Sequence, residues 1–303
     1  MKRIFAYFCI VLFMVCQIWH LGALELELAG GLNNMSWKPD QSTAFGSERA
    51  EFEPFPFILG NISIRGEIPK AWAFSFNIER DNIFQNTIDF RLKTRTDYFA
   101  FEFGVFTGMT DDFETPDAGI LGNMEITWPG VLFISFSGSS TLGASLDSTG
   151  NNFRESMGAE LGFWLPFMIP VFSVNTKSFT MFSEDGSGYK CDSLTRYKLS
   201  ADFPFGKTSP VNLRIDGGYQ ILKRNYDYSY EVSIDTINEI KTATNELSSI
   251  FAGFELLFKV SKPFHFFVGA ELPFGLKAVE PLTVSDDVFG LYKAWGGVRF
   301  IFY

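Results

Sequence analysis

The sequence predicts an all-β chain: a transmembrane, antiparallel, up-and-down β-barrel of about fourteen strands, with twelve as the alternative count. Three observations predict it. Apolar and polar residues alternate with period 2 along most of the chain, connectors are alternately short and long, and the alternating segments run to about ten residues. A tilted strand needs that length to cross the hydrocarbon layer, whereas strands of ordinary sheets run to about five or six.

Residues 1–23 read as a secretory signal peptide, and 24–303 as the barrel. Lys2 and Arg3 precede an uncharged apolar stretch from Ile4 to Ile18, and His20-Leu-Gly-Ala23 leads to the first acidic residue, Glu25. Phe13-Met-Val-Cys16 lacks the small residue that precedes a lipidated cysteine. Cleavage removes Cys9 and Cys16 and leaves Cys191, so an intramolecular disulfide is excluded. An exported chain without disulfides needs another source of rigidity, and a closed ladder of backbone hydrogen bonds provides one. No later stretch approaches the roughly 18 apolar residues of a membrane helix. Loss of Lys2 and Arg3 takes the formal net charge from −10 to −12, which argues against nucleic acid as a partner. Nothing reads as a linker, so one domain is expected.

The first strand, from Leu24, alternates Leu24, Leu26 and Leu28 with Glu25 and Glu27. The next is expected over 57–67. Trp72, Phe74, Phe76 and Ile78 then alternate with Ser75, Asn77 and Glu79, and Ile88, Phe90 and Leu92 with Asp89, Arg91 and Lys93. Phe99, Phe101, Phe103 and Val105 enclose Glu102 and Gly104. Strands over 119–128, 131–142, 154–165, 171–182 and 194–203 follow. Those starting at 131 and 171 are Ser/Thr-rich with blurred alternation, which leaves room for a register slip and for the count of twelve. Strands over 211–223, 249–261, 264–276 and 289–303 complete the set. Short turns are expected near Pro69, Thr96, Pro129, Pro166 to Pro170, Pro204 to Pro210 and Pro263, with Trp72, Tyr98, Trp128, Trp164 and Phe264 beside them as an interfacial belt. Longer polar loops are expected at Lys38 to Glu51, Thr110 to Ala118, Ala144 to Asn152, Ser183 to Asp192, Arg224 to Leu247 and Ala278 to Asp287.

In the loop from Arg224 to Leu247, Tyr226, Tyr228 and Tyr230 alternate with polar residues, as if the strand continued after a one-residue slip near Arg224. Thr236-Ile-Asn-Glu239 fits a capping box with a short helix after it. An ordinary surface loop, and a gate or receptor-facing finger, are both open there.

Candidate chemistry is sparse. Of the two histidines only His265 survives processing, and it falls near a short turn, so an enzyme is not expected. Cys191, in the 183–193 loop, is a lone thiol. Asp111, Asp112, Glu114 and Asp117 offer hard oxygen ligands at no defined calcium spacing. No zinc spacing, phosphate loop or dinucleotide fingerprint occurs, and no cofactor is expected.

What remains is a heavily charged inner face. Its acidic members are Glu25, Glu27, Glu67, Glu79, Asp89, Glu102, Glu125, Glu160, Asp202, Asp216, Glu255 and Glu271. Its basic members are Arg65, Arg91, Lys93, Arg95, Lys177, Arg196, Lys198, Arg214, Lys259, Lys293 and Arg299. So many ionised groups require water or mutual pairing. About fourteen strands should leave a narrow aqueous channel, since eight are filled by side chains and sixteen are open. Arg91, Lys93 and Arg95 suggest a basic wall facing an acidic one with Glu25 and Glu27; pairing between adjacent strands is the alternative.

In the last segment Val298, Phe300 and Phe302 share one face and Trp295 and Arg299 the other. Gly297, Phe300 and Phe302 resemble the C-terminal signal by which bacterial outer-membrane barrels are recognised for assembly. Trp295 departs from that pattern, and Tyr303 lies one position beyond it. In size and strand number the chain resembles the small monomeric porin class. That resemblance implies the cell outer membrane as location, and outer-membrane lipid and the barrel-assembly machinery as partners. It also implies passive diffusion of small hydrophilic solutes, selected by lumenal charge. The alternative is an adhesin or structural barrel with a salt-bridged, closed lumen, meeting a surface ligand through its outside loops. A transporter of hydrophobic substrates would need an N-terminal plug, for which strand character from Leu24 leaves no room.

Overall fold

The computed structural model describes residues 24–33, 36–39, 48–51, 55–65, 72–81, 83–110, 117–142, 152–182, 189–203, 205, 209–232, 237–279, 283–284 and 293–302. The expected leader, Glu67, Asp111, Asp112, Glu114, Thr236 and Tyr303 lie outside them, and the Arg65 side chain is likewise not described.

Alternation becomes strand wherever the sequence shows it. In chain order the strands are β1 (Leu24–Asn33), β2 (Ser36–Pro39), β3 (Glu48–Glu51), β4 (Phe55–Arg65), β5 (Trp72–Asp81) and β6 (Gln85–Arg95). There follow β7 (Phe99–Met109), β8 (Asp117–Trp128), β9 (Leu132–Thr141), β10 (Asn152–Phe163), β11 (Ile169–Phe182) and β12 (Tyr189–Phe203). The chain ends with β13 (Val211–Val232), β14 (Ile237–Lys259), β15 (Phe264–Val279), β16 (Thr283–Val284) and β17 (Lys293–Phe302). Fourteen of these close into one barrel, in which each strand pairs with its neighbour in sequence and β1 is bonded to both β4 and β17. Closure leaves no unpaired edge, the condition for a sheet to stand in lipid. The short β2, β3 and β16 form a separate three-stranded sheet drawn from the first and last long loops.

The count of fourteen rather than twelve rests on β9 and β11. Both form despite their weak alternation, with unbroken register to their neighbours through 132–182. Backbone pairing supplies what side-chain periodicity lacks there: serine on an inward face costs the ladder nothing. The one register shift in the β12–β15 region falls between Ser248 and Ile250, against β15, and not near Arg224.

Outward positions carry Phe99, Phe101, Phe103, Val105, Phe136, Phe172, Leu199, Ile215, Phe254 and Leu272, all well exposed. This is an apolar belt facing lipid. Tyr98, Trp128 and Trp164 stand exposed at the short-turn end, where an interfacial aromatic ring belongs. By the general build of such barrels that end is periplasmic and the long-loop end lies outside.

Three local expectations give way. Residues 224–232 and 237–247 are strand and not loop: β13 and β14 pair without a break from Val211↔Phe258 out to Val232↔Ile237. The expected slip is absent, and Ile237 to Glu239 are strand where a capped helix was expected, because the facing tyrosine-rich segment offers a complete row of backbone partners. The hairpin outruns β12, whose pairing stops at Lys190↔Tyr226. Cys191 lies within β12, half-buried, and not in a loop. Asp117 opens β8 and is held by an ion pair, so it does not belong to an open acidic cluster.

Candidate functional site

The inner face carries the chemistry. Glu79 of β5, Asp89, Arg91, Lys93 and Arg95 of β6, Glu102 of β7 and Glu125 of β8 alternate with the exposed apolar belt. The same alternation holds for Glu160 of β10, Lys177 of β11, Arg196, Lys198 and Asp202 of β12, and Arg214 and Asp216 of β13. Glu255 and Lys259 of β14, Glu271 of β15, Lys293 and Arg299 of β17 and Glu25 and Glu27 of β1 close the circle.

These charges do not sort into one basic and one acidic wall. Arg91 donates to both oxygens of Asp89 at 2.7 and 2.8 Å and to Glu102 at 2.9 Å. Arg299 lies between Glu27, at 2.6 Å, and Glu25, at 3.5 Å. Arg214 grips Asp202, and Arg224 grips Asp192. Each of these pairs joins β-neighbours or residues two apart on one strand. An acid beside each base offsets the cost of holding both in a confined lumen, which a segregated wall cannot do.

Other pairs cross the lumen. Lys177 Nζ donates to Glu79 at 2.9 Å and to Asp81 at 2.7 Å, yet β11 and β5 lie six strands apart in the ring. A round barrel of fourteen strands is roughly 28 Å across, from strand spacing and tilt, far more than a lysine and an aspartate can bridge. The barrel is therefore not round there: the β5–β6 wall, laddered to β4 as far as Arg80 and to β7 as far as Asn86, approaches β11, with the 81–85 turn at its inner side.

Ile83 and Phe84 sit in that tip and are 3% and 8% exposed, in an apolar cluster with Phe179 of β11 and Leu222 of β13. Met181 and Leu194 pack against it. The Asp81 carboxylate accepts from the backbone N–H of Ile83 and Phe84, closing the turn, and Gln85 takes a positive φ of 59° to re-enter the strand. This apolar pair was not among the residues expected from the sequence. Its signal is present all the same: an Ile-Phe step in a short outside connector, flanked by Asp81-Asn82 and Gln85-Asn86, has no reason to be apolar unless it turns inward.

Arg154, on β10, locks the tip and is fully buried. Its guanidinium donates to the carbonyl of Phe84 at 2.9 Å and of Met109 at 3.1 Å, pairs with Asp117, and lies 4.1 Å from the centre of the Phe179 ring. One side chain thus joins the hairpin tip, the end of β7, the start of β8 and the apolar cluster. A Cβ at Gly108 would collide with this guanidinium. Gly108→Ala is expected to displace it at a cost of about 1–3 kcal/mol, seen as a lower temperature for the folded-to-unfolded gel-mobility shift.

A second group lies toward β15. Arg196 pairs with Glu271 at 2.6 Å and covers the Phe251 ring at 4.2 Å, and the Trp295 indole donates to Glu255 at 2.9 Å. Trp295, the departure from the assembly pattern, has this inward hydrogen bond as its reason. Gly297 lies against the carbonyl of Leu28 and the Phe267 ring, where a side chain would not fit, while the Phe300 ring packs at a tilt against Phe264 with centroids 5.0 Å apart.

At the short-turn rim a groove of about 840 Å3 lies between the 96–98 and 129–130 turns, beside Arg95, Thr127 and Trp164, and in the lumen a cavity of about 200 Å3 lies beneath Phe84 and Lys177. His265 follows the 261–263 turn, between Lys259 and Arg299 in register. Among the described residues no group of His, Cys, Asp and Glu could hold a metal ion.

No protein-family model matches the chain, and no curated protein matches it. Among solved structures it is similar over 93% of its length to a loop L8 deletion mutant of OmpT, an outer membrane protein of Vibrio cholerae. That match has 8% identity and a TM-score of 0.44 and covers 100% of the other chain. A bacterial polysaccharide outer membrane secretin is similar over 93% at 9% identity and a TM-score of 0.45, with 98% of it covered. An outer membrane channel from Pseudomonas putida F1 is similar over 93% at 6% identity and a TM-score of 0.43, with 96% of it covered. The barrel itself rests on the closed strand register and the lipid-facing belt described above.

Proposed function

We propose that the chain is an outer-membrane channel of porin-like type for small hydrophilic solutes, held shut at rest in its outer half by the tip of the β5–β6 hairpin. The observation that carries this reading is the pairing of Lys177 with Glu79 and Asp81 across the lumen, over an apolar tip made by Ile83 and Phe84. In the outer half the tip packs with Phe179, Leu222 and Arg154, and the reading takes this plug as displaceable. The reading assigns the protein no catalytic step, and takes Gly297, Phe300 and Phe302 as what the assembly machinery recognises.

A second reading, a structural barrel acting through its outside face, draws on the β13–β14 hairpin, whose residues beyond Tyr226 outrun β12. At about 3.3 Å per residue the pairs from Asp227 to Val232 project it by roughly 20 Å.

Single-channel recording in planar bilayers separates the two. Refolded wild-type protein is expected to be mostly silent, with rare stepwise openings. A complete lack of current steps and of liposome swelling, in the wild type and in hairpin-tip variants alike, would leave the structural barrel as the only reading.

A further inference from the structure

We propose that the cavity beneath the hairpin tip is a binding site for a neutral, polyhydroxylated solute of monosaccharide size. The site takes its purpose from the channel reading. Its volume of about 200 Å3 corresponds to roughly seven water molecules, less than the pocket of a drug-sized ligand.

The cavity is unusual for where it lies. Around it the lumen is packed solid: Arg154 and Phe179 are fully buried, and Leu222 and Phe251 nearly so. It stays hollow because one wall is built from small residues, Ser137 and Ser139 of β9 and Ser156 of β10. Gly158 belongs to the same wall, and a Cβ there would come within 2.6 Å of Ser137 Oγ. Three adjacent strands, β8 to β10, present no ionised side chain to the cavity.

The opposite wall is charged, with each base shared between two acids. Arg91 is shared between Asp89 and Glu102, and Lys177 between Glu79 and Asp81. Counting Asp81, these groups carry a net −2, so an anion would meet repulsion and no unshared cation, while a cation would find each carboxylate already bonded to Arg91 or Lys177. What the cavity offers instead is a set of neutral groups that both donate and accept. Ser139 and Ser156 hydroxyls lie 2.7 Å apart, Asn123 accepts from Ser135, and Ser137 stands between them. Sugar hydroxyls have the same dual character and can exchange into such a network without leaving a donor or acceptor unpaired. Phe106 and Leu121 add an apolar side, matching the C–H face of a pyranose ring.

The test is isothermal titration calorimetry of refolded protein in detergent micelles, with D-glucose, glucose 6-phosphate and lysine as probes. Saturable glucose binding is expected, with glucose 6-phosphate at least tenfold weaker and lysine weaker than glucose. Ser137→Val fills the cavity and removes a hydroxyl, and should weaken glucose by about tenfold or more. Ser137→Ala keeps the space and should cost about threefold, which guards against a folding defect in the larger variant. No saturable heat up to roughly 100 mM glucose, a hundredfold above a millimolar constant, would overturn the site. So would equal or tighter binding of the phosphorylated sugar or of lysine, or an unchanged constant for Ser137→Val. Micelle binding requires no conduction, so the two proposals fail separately. Current through an opened variant without glucose binding removes the site alone, and glucose binding with every variant silent removes the channel alone.

Discussion

Replacing Ile83 and Phe84 together by serine is expected to turn a mostly silent barrel into a continuously conducting one. Both side chains are buried in the cluster with Phe179 and Leu222. Burial of an aliphatic or aromatic side chain contributes about 1.5–3 kcal/mol, so the pair contributes about 3–6 kcal/mol to the inward position of the tip. Because 1.4 kcal/mol is a tenfold change in an equilibrium constant, the loss shifts the ratio of closed to open by roughly 10²- to 10⁴-fold. The strands themselves bury nothing less, since their ladder and lipid-facing belt do not involve the tip. Heat-modifiable gel mobility should stay as in the wild type while bilayer current and liposome swelling rise. Lys177→Ala should act in the same direction but less strongly. Hydrogen bonds to charged groups contribute about 1.5–3 kcal/mol, the lower end applying to a side chain this partly exposed, so its open fraction should rise by about tenfold. An intact, silent barrel for both variants would mean that something other than the hairpin tip closes the lumen.

Arg154→Met is expected to be the most destabilising single substitution among the inner-face charges. The Arg154 side chain is 0% exposed and its partner Asp117 is 6% exposed, so the change strands a buried carboxylate and removes the donors from the carbonyls of Phe84 and Met109. Removing one member of a buried pair costs about 3–5 kcal/mol. Urea unfolding in lipid vesicles should show that loss, whereas Lys262→Met in the exposed 261–263 turn should stay within about 0.5 kcal/mol of wild type. Adding Asp117→Asn to Arg154→Met should recover part of the loss, since the neutral amide is cheaper to bury unpaired, giving a favourable coupling in the double-mutant cycle. Equal effects of Arg154→Met and Lys262→Met would show that the guanidinium is not the lock described here.

Most strands were legible in the sequence. Phe99 to Val105 alternate so regularly that neither span nor facing is in doubt, because lipid on one side and charge on the other impose the period on every residue. The blurred strand β9 was harder, for the reason that makes its inner wall distinctive: Ser135, Ser137 and Ser139 are small and neutral, and the pattern fades where a cavity needs room. The tyrosine-rich stretch beyond Arg224 misled in the other direction. Its local pattern allows a slip and a capped helix, and the full-length pairing with 237–245 overrides both. Pairing of charges was harder still. Arg91, Lys93 and Arg95 are consecutive inward residues and suggest a basic wall, but Asp89 meets Arg91 from two residues away on the same strand, and Glu102 reaches it only through the β6–β7 ladder and its register.

The sequence by itself determined that this chain forms a barrel, which residues meet lipid and which turn inward, because those features repeat every second residue and need no knowledge of distant partners. Only the tertiary structure decided that the lumen is obstructed and by what. Lys177 meets Asp81 from 96 positions away and Arg154 meets Phe84 from 70, and contacts between strands far apart in the ring leave no periodic trace in either segment. They exist because closure of the barrel brings opposite walls to face each other and the β5–β6 wall approaches β10 and β11.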